Sequence, residues 1–361
     1  MCSGCSERVL EMRKLDLAIT DNVREVPVLF IFFNRLHHAK QVFDVLRQVQ
    51  PRQLFLAGDG PRIGRLSDAG GCRETRELAL QVDWPCELRT RFLEHNLGCK
   101  LAVSSAISWF FEQVEDGIIL EDDCVPNLSF FSFCAETLER YRDDERVMQV
   151  SGSNFLPVRR DGGASYYFSA LNDIWGWATW RRAWRHYDLS MPDYPEFKKR
   201  RLLENYVGGR AIASWLESYF DDACRSDCSV WSSQWTYAMA RQNGLTIVPS
   251  VNLVRNIGFD SAGTHSSGDS WRYYNAFAVE DIGALIHPRF ILVDRGADKL
   301  RFDVIRKTDP RLFVWNCCRA AVGAFVPTGL RHLYKETRIF LNCTGLAICR
   351  LKRFLVDFVS Q

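Results

Sequence analysis

The stretch Gly117-Ile118-Ile119-Leu120-Glu121-Asp122-Asp123-Cys124 is the strongest single indicator of fold and function in this sequence. A short apolar run between Gly117 and Pro126 is typical of a strand that is covered on both faces of a sheet. Carboxylates follow at the predicted carboxyl end of that strand, where open α/β sheets bind ligands. Adjacent carboxylates repel one another, and a divalent cation would hold them together. A solvated acidic turn is the simpler alternative, and this stretch alone does not decide between the two.

The whole chain has an ordinary globular composition. Its 361 residues are 47% hydrophobic and 25% charged, which suits one large domain with an appendage. The formal net charge of +2 argues against bulk electrostatic binding of nucleic acid. The charge is uneven, because residues 305–361 carry ten Lys and Arg against three Asp and Glu.

The cysteines and the apolar runs indicate the compartment. The 13 cysteines are scattered, and neither Cys2-x-x-Cys5 nor Cys224-x-x-x-Cys228 has a second pair at zinc-like spacing, so reduced thiols are expected. No basic-then-apolar leader is evident, and no apolar run reaches the roughly 18 to 20 residues that a membrane span needs. We therefore expect a cytoplasmic protein.

Strands and helices alternate up to the acidic stretch. Apolar strands are predicted at Val26–Phe33, Leu54–Ala57 and Cys86–Phe92, with helices over 38–49, 72–81 and from Gly98 onward. This alternation is typical of a parallel sheet built by right-handed crossovers. Polar residues follow successive strands, and parallel strands place their carboxyl ends on one edge. Arg35, Asp59 and the acidic triplet are therefore expected to converge there.

The second half of the chain has a mixed pattern. Further strands are predicted at 147–150, 166–168, 175–180 and 245–249, and helices near 128–141, 181–187, 197–206, 211–224 and 231–243. The sequence therefore predicts an α/β fold with a mostly parallel, Rossmann-like sheet that is flanked by helices.

Six motifs in a fixed order carry a family resemblance. They are Asn34-Arg35, Asp59-Gly60, Glu121-Asp122-Asp123 with Phe130-Phe131, Trp175-Gly176-Trp177, Trp231-Ser232-Ser233-Gln234-Trp235, and Ile257-Gly258-Phe259 with Thr264-His265. The set resembles the GT-A nucleotide-diphospho-sugar transferases, most closely a bacterial hemolytic-protein-like sugar transferase family. A more distant likeness is to the inverting Golgi N-acetylglucosaminyltransferases. The resemblance implies a GT-A-like catalytic domain at 26–300, between an N-terminal lead-in at 1–25 and a helical tail at 301–361.

The resemblance implies transfer of a sugar, a hexosyl or N-acetylhexosaminyl group, from a nucleotide-diphosphate donor to a glycan or lipid-linked acceptor. A UDP-sugar donor and inversion at the anomeric carbon are implied by likeness alone. A divalent metal, Mn²⁺ or Mg²⁺, would offset the charge that develops on the leaving diphosphate, and Asp123 is its implied ligand. His265 lies in a Gly- and Ser-rich loop that would close over the nucleotide and reach the metal or a phosphate. A surface histidine without a role is the alternative.

The nucleotide contacts follow from the same resemblance. Glu121 and Asp122 would face the ribose or ordered water, and Asp59 would bind the base, which is uracil in the relatives. Arg35 would pair with phosphate or ribose, a task that suits a guanidinium. Alternatively, Arg35 only neutralises the acidic edge and Asp59 is an ordinary turn aspartate.

An aromatic segment is the candidate sugar and acceptor site. Trp175 and Trp177 offer rings that stack on sugars, and Gly176 between them would let a ligand approach the backbone. Asp173 would contact an acceptor hydroxyl. Tryptophans on a strand are more often core residues, and Trp180 is assigned to the core.

One position departs from the family pattern. The relatives carry an aspartate, the implied general base, where this chain has Ser232. Asp227 and Asp222 are the nearest carboxylates in sequence that would replace it as catalytic residues. Alternatively, the acceptor needs no base, or the protein binds nucleotide or glycan without catalysis. A sugar nucleotidyltransferase is disfavoured, since Asn34–His38 lacks the glycines of a phosphate loop.

The C-terminal residues 311–358 mix apolar and basic side chains in short predicted helices. A basic amphipathic helix suits an anionic membrane surface. This interpretation places the protein peripherally on the inner face of the cell membrane, beside a lipid-linked acceptor. A helical cap on the catalytic domain or a dimer contact is the alternative.

Overall fold

The computed structural model describes residues 20–157, 163–225, 227–259, 274 and 276–308. One compact unit spans Met1–Ile305 and a second spans Arg306–Gln361. The sheet and the residues discussed below belong to the first unit. The predicted lead-in at 1–25 lies mostly outside the described residues, and nearly all of the predicted tail at 301–361 does too.

An eight-stranded sheet forms the centre of the first unit. Its strands are β1 (Val28–Phe32), β2 (Gln53–Gly58), β3 (Glu87–Phe92), β4 (Asp116–Glu121), β6 (Val147–Ser151), β7 (Tyr166–Ser169), β8 (Trp177–Trp180) and β9 (Leu245–Pro249). They lie in the order β3-β2-β1-β4-β8-β6-β9-β7. Only β7 and β8 run against the other six. The predicted α/β fold with a mostly parallel sheet is confirmed.

The strand order changes direction at β1. Strands β2 and β3 extend from one side of β1, and β4 pairs with the other side. Such a reversal leaves a crevice at the carboxyl ends of the two central strands, where open α/β sheets bind ligands. In the register, Phe32 lies opposite Gly58 and Ile31 lies opposite Glu121, so these three strands end level with one another.

Helices cover both faces of the sheet. They are α1 (Asp21–Glu25), α2 (Leu36–Val49), α3 (Leu66–Arg76), α4 (Gly98–Phe111), α5 (Leu128–Arg140), α6 (Arg181–Trp184), α7 (Tyr194–Lys199), α8 (Leu202–Val207), α9 (Arg210–Ala223), α10 (Ser232–Arg241) and α11 (Arg295–Thr308). Strand β1 is buried at every position: Phe30 packs in one core cluster and Leu29 in the other. Burial on both faces explains why the strand is continuously apolar rather than alternating.

Two short strands lie beside the sheet edge that carries the acidic residues. They are β5 (Cys124–Pro126) and β10 (Val254–Asn256), which pair antiparallel. This pairing brings the segment after residue 256 next to the acidic turn, although 130 residues separate them in the chain.

Two sequence expectations can be compared with the described residues. The cysteines there, Cys72, Cys86, Cys99, Cys124, Cys134, Cys224 and Cys228, are free, as reduced thiols require. Among the same residues, no helix is both long and apolar enough to cross a bilayer.

Candidate active site

The acidic turn and Arg35 meet at the carboxyl edge of the sheet. Asp122 and Asp123 follow β4, and Arg35 directly precedes α2. The Arg35 guanidinium donates from Nε to Asp122 Oδ2 at 3.3 Å and from Nη2 to Asp122 Oδ1. The same Nη2 donates to Asp123 Oδ2 at 3.0 Å. The structure therefore brings together residues that are 87 and 88 positions apart in the chain.

The charges at this edge do not balance within the group. Glu121, Asp122 and Asp123 surround a single guanidinium. Burial raises the pKa of Glu121 to about 8, and the carboxylates of Asp123 and Asp122 add to that rise. Burial opposes the charge on Arg35, but Asp122 and Asp123 outweigh it and raise the pKa of the guanidinium. Glu121 is then mostly protonated at neutral pH, and the negative charge left over is that of two aspartates against the Arg35 guanidinium, which a bound cation would offset.

The Asp123 carboxylate is the most accessible of the aspartates in this group. Its side chain is 22% exposed, whereas that of Asp122 is 6% exposed and held by Arg35. The Cys124 thiol donates to Asp123 Oδ1 at 3.4 Å. Asp122 is therefore fixed within the protein, whereas the Asp123 side chain stays partly accessible.

Gly258 lies against Asp123, a contact that the sequence did not predict. The Ile257 amide donates to the Asp123 carbonyl at 2.8 Å. A Cβ atom placed on Gly258 would lie 2.2 Å from Asp123 Oδ2, closer than real Cβ contacts allow. Only glycine fits here without a shift of the carboxylate or the backbone. The Ile257-Gly258-Phe259 motif belongs to the set that carries the family resemblance, but its spacing does not indicate a contact with Asp123.

Cys99 is a further neighbour of the acidic edge that sequence reasoning missed. Burial raises the pKa of its thiol to about 12, and the charges of Glu121, Asp123, Asp122 and Asp59 act in the same direction. The thiol is therefore protonated at neutral pH and is a poor nucleophile.

Asp59 has a structural role that differs from the predicted one. Its Oδ1 accepts from the amides of Gly60 at 2.8 Å and Leu97 at 2.9 Å. Its Oδ2 accepts from Asn96 Nδ2 at 2.7 Å and from the Gly98 amide at 3.1 Å. Four donors use the acceptor capacity of a carboxylate. Asp59 therefore holds the turn that precedes α4, as the turn-aspartate alternative expects, and its predicted contact with a nucleobase stays a prediction.

The two tryptophans of the predicted aromatic site lie in different surroundings. Trp175 is half-buried and makes edge-on ring contacts with Phe155 and Tyr274 at 5.3 Å and with Phe259 at 5.4 Å. Trp177 is completely buried and stacks on Trp231. The enclosed ring supports the core alternative for Trp177, and its predicted sugar contact stays a prediction.

Gly176 is constrained by its neighbours rather than open to a ligand. Its φ of +63° is left-handed, and an added Cβ would lie 2.8 Å from Val254 Cγ2. Its carbonyl accepts from the Gly152 amide at 2.8 Å. Glycine is required at this position by conformation and close packing, and its predicted ligand contact stays a prediction. Trp180 is 2% exposed, as its core assignment predicted.

Asp173 is half-buried, with its side chain 23% exposed, and is paired with a cation. Arg301 on α11 donates from Nη2 to Asp173 Oδ1. Burial nevertheless raises the pKa of Asp173 and outweighs the effect of Arg301. The Asp173 carbonyl accepts from Gln149 Nε2 at 2.6 Å, and Gln149 Oε1 accepts from Trp235 Nε1 at 2.7 Å. This connection fixes Asp173 relative to α10, which begins at Ser232.

The two proposed substitutes for a general base lie in a more exposed setting. Asp227 forms a two-point pair with Arg225 at 3.0 and 3.1 Å, and its side chain is 69% exposed. The Arg225 hydrogen bond lowers the pKa of Asp227. The Asp222 side chain is 41% exposed and lies 3.9 Å from Arg225. The catalytic roles of both residues stay predictions.

The residues present fit a divalent cation in part. Hard cations prefer carboxylate oxygens, and Asp123 offers one beside a surplus of negative charge. Within the described residues, no group of three or more His, Cys, Asp and Glu side chains forms a metal site. A cation at Asp123 would need further oxygens, such as those of a diphosphate. His265, the other predicted ligand, lies outside the described residues.

Comparison with known proteins gives no family assignment. No protein-family model and no curated protein matches the chain. Among solved structures, the chain is similar to a mannosyltransferase of Pyrobaculum calidifontis, PcManGT, determined with GDP-Man and Mn²⁺. The identity is 15%, the TM-score is 0.41, and the match covers 88% of this chain and 80% of that one. A similarity this low assigns neither substrate nor reaction to this chain.

Proposed function

We propose that this protein is a metal-dependent glycosyltransferase that uses a nucleotide-diphosphate sugar. The observation that carries the proposal is the position of Asp122 and Asp123 at the β1/β4 switch point, next to Arg35. A crevice of this kind is where open α/β sheets bind nucleotides. A nucleotide-diphosphate sugar binds together with a divalent cation. The cation would offset the negative charge at Asp123, and the phosphate oxygens would complete the coordination of the cation. The ordered motifs that resemble the GT-A transferases support the same reaction.

Each residue of the acidic edge has a proposed task. Asp123, whose side chain is partly accessible, would hold the cation, and Asp122, which Arg35 immobilises, would keep the turn in place. When bound, the cation would offset the charge that develops on the departing diphosphate. Arg35 would turn part of its guanidinium to a phosphate oxygen. Glu121 would face the ribose or ordered water.

The acceptor would bind on the side of Trp175 and Asp173. A half-buried tryptophan ring offers an apolar face to a sugar. A general base works best when its pKa lies near the operating pH. Burial raises the pKa of Asp173, whereas the Arg225 hydrogen bond lowers that of Asp227, so Asp173 is the better candidate.

Ser232 favours a second candidate function. A serine cannot remove the acceptor proton unaided, so a protein that only binds a nucleotide or glycan is the alternative. A sugar nucleotidyltransferase has no comparable support. We also propose a UDP donor, inversion of configuration and a glycan or lipid-linked acceptor. We propose in addition that the protein is located at the cytoplasmic face of the membrane.

Ligand-induced stabilisation tests the donor site. The full chain is melted with Mn²⁺ or Mg²⁺ and a panel of uridine and guanosine diphosphates and their sugars. A nucleotide at a hundred times its Kd should stabilise the fold by about 2.7 kcal/mol. Asp123→Asn should abolish the shift, and the exposed Asp227→Asn serves as the matched control. Equal shifts in wild type and Asp123→Asn, or no shift in the wild type, would reject the site.

Release of nucleoside diphosphate separates the two candidates. A transferase should release the diphosphate from its donor slowly in water and faster with its acceptor. Metal-dependent binding without release, across a broad panel of glycan and lipid-linked acceptors, would favour the binding protein.

A further inference from the structure

The segment Pro61–Leu66, which is the end of the loop after β2 and the first residue of α3, presents two large aliphatic side chains to the outside. Ile63 is 95% exposed and Leu66 is 93% exposed. Single apolar side chains on a surface need no explanation, but two nearly bare aliphatic residues in one short loop do. Gly64 between them has a φ of +79°, and nothing lies within 4 Å of an added Cβ. The loop therefore projects away from the body of the protein.

Cations accompany the apolar side chains. Arg62 and Arg65 flank Ile63 and are both exposed. Asp68, three residues after Arg65, is 1% exposed and accepts from Arg62 Nε at 2.6 Å and from Arg62 Nη2 at 2.9 Å. Asp68 is therefore inside and pairs with Arg62, while Arg65 and the aliphatic tips face outward. Apolar tips among cations are the features that favour an anionic lipid surface.

The loop is fixed to the edge of the sheet that carries the candidate site. Asp68 Oδ1 accepts from Asn34 Nδ2 at 2.8 Å and from Arg62 Nη2 at 2.9 Å, and its Oδ2 accepts from Arg62 Nε at 2.6 Å. Asn34 is the residue before Arg35. The Arg62 hydrogen bond lowers the pKa of Asp68, so the carboxylate stays ionised and the bridge persists at neutral pH. The loop cannot move far from the acidic edge without breaking this bridge.

Apolar surface continues from the loop into a groove. The groove has a volume of about 570 Å³ and is lined in part by Pro61, Ala69, Leu80 and Phe92. Leu80 is 86% exposed. Arg73, Arg76, Glu77 and Glu94 also line the groove. The apolar surface next to the loop therefore exceeds the two aliphatic tips.

We propose that the loop Pro61–Leu66 docks on an anionic lipid bilayer and holds the carboxyl edge of the sheet at the membrane surface. Ile63 and Leu66 enter the region between headgroups and acyl chains, and Arg65 binds the phosphates of anionic lipids, while Arg62 keeps its pair with Asp68. The proposal is independent of the reaction, because it needs neither donor nor acceptor.

Vesicle binding of the full chain tests the proposal. Vesicles of phosphatidylcholine, alone or mixed with phosphatidylglycerol, are sedimented with the protein. The double variant Ile63→Ser/Leu66→Ser should lower the partition onto the mixed vesicles by about tenfold or more. The matched control, Ile286→Ser/Leu292→Ser, removes two aliphatic side chains that are 62% and 72% exposed elsewhere. It should bind as the wild type does.

Hydrogen exchange locates the contact independently of any other membrane-binding segment. Mixed vesicles should protect the peptide that covers 61–70, and phosphatidylcholine alone should not. No protection of this peptide, or an equal loss of binding in both double variants, would overturn the proposal. Protection that rises with protein concentration in the absence of vesicles would also overturn it, since the loop would then bind a second copy. The melting temperature of each variant should be unchanged, because the substituted side chains are exposed.

Discussion

Arg35 is the residue on which the acidic edge depends. It is the guanidinium that pairs with both aspartates, and Asp122 beneath it is 4% exposed. Removing one partner of a buried ion pair leaves a charge that neither water nor protein compensates. The arginine therefore has a structural role before any ligand is present, in addition to its proposed contact with phosphate.

The first prediction concerns that structural role. Arg35→Met should lower the free energy of unfolding by about 3 to 5 kcal/mol, since it leaves Asp122 and its neighbours without a cation. Mn²⁺ should stabilise the variant more than the wild type, because it can replace part of the missing charge. Urea unfolding with and without Mn²⁺ measures both effects. As a control, Arg225→Met breaks an exposed ion pair and should lower the free energy of unfolding by less than about 1 kcal/mol. An equally small loss in Arg35→Met would show that water compensates the charges of the acidic edge.

The second prediction concerns the contact between Gly258 and Asp123. Gly258→Ala places a Cβ where Asp123 Oδ2 now lies, so the carboxylate or the backbone must move. Metal-dependent nucleotide binding should weaken by about tenfold, a cost near 1.4 kcal/mol. Titration calorimetry with Mn²⁺ and nucleotide measures it. Gly70→Ala is the control, because nothing lies within 4 Å of its added Cβ. Unchanged binding in Gly258→Ala would show that Asp123 does not hold the ligand.

The third prediction distinguishes the candidate bases. If the protein transfers sugars, Asp173→Asn should lower kcat by about 10²-fold to 10⁴-fold, with a smaller effect on donor binding. Asp222→Asn and Asp227→Asn should change kcat little, since both side chains are exposed. The pH profile of Asp173→Asn should also lose its acidic limb. A large loss of kcat in either exposed variant would reinstate the candidates nearest to Ser232.

At the scale of elements, α11 is fastened to the sheet by a buried carboxyl group. Asp298 accepts from the Ser169 hydroxyl and from the Ala170 amide at 3.2 Å, directly after β7. It is 2% exposed, and burial raises its pKa to about 6. The same helix carries Arg301, so its attachment also determines where the partner of Asp173 lies.

The fourth prediction follows from this pKa. Because the folded pKa of Asp298 exceeds its unfolded value of 3.8, the carboxyl group favours the folded state below about pH 4. That contribution is lost as the pH rises through 6, by up to about 3 kcal/mol. The unfolding free energy of the wild type should therefore fall between pH 4 and 7 relative to Asp298→Asn. Urea titrations across this window, with the exposed Asp44→Asn as control, measure the difference. Parallel curves for wild type and Asp298→Asn would mean that Asp298 has an ordinary pKa.

Elements were more predictable than contacts. The continuous apolar run around Leu120 predicted a strand buried on both faces, and β4 is such a strand. The aromatic run from Trp175 was harder to interpret, because the same residues serve a core or a ligand. Trp177 faces inward, whereas Trp175 lies in the turn before β8 and keeps part of its ring accessible. At the end of a strand, sequence periodicity does not distinguish a core tryptophan from an accessible one.

At the scale of the whole molecule, one apolar cluster crosses the sheet from its first half to its second. It includes Val28 and Leu54 in the first half and Tyr166 and Ile247 in the second. A shared core of this kind makes unfolding cooperative. The candidate nucleotide site therefore depends on strands that do not contribute to it.

The fifth prediction tests this cooperativity. Far-ultraviolet circular dichroism and tryptophan fluorescence should report one common transition for the first unit, because Trp177, Trp184 and Trp235 of the second half pack in one cluster with Leu29 and Phe55 of the first. Nucleotide with Mn²⁺ should shift both signals by the same amount, since binding stabilises the folded unit as a whole. A fluorescence transition that stays in place while the dichroism shifts would show that the two halves unfold separately.

The sequence by itself determined the fold class and the edge of the sheet where the polar residues gather. Continuous apolar strands that alternate with amphipathic helices have essentially one solution, a parallel sheet covered on both faces, and that solution places strand ends together. Only the tertiary structure decided which of those residues touch. Arg35 pairs with the aspartates, Asp59 is used by its own loop, and Gly258 lies against Asp123. These contacts join residues far apart in the chain, and local propensity and spacing carry no information about which distant donor will satisfy a given carboxylate.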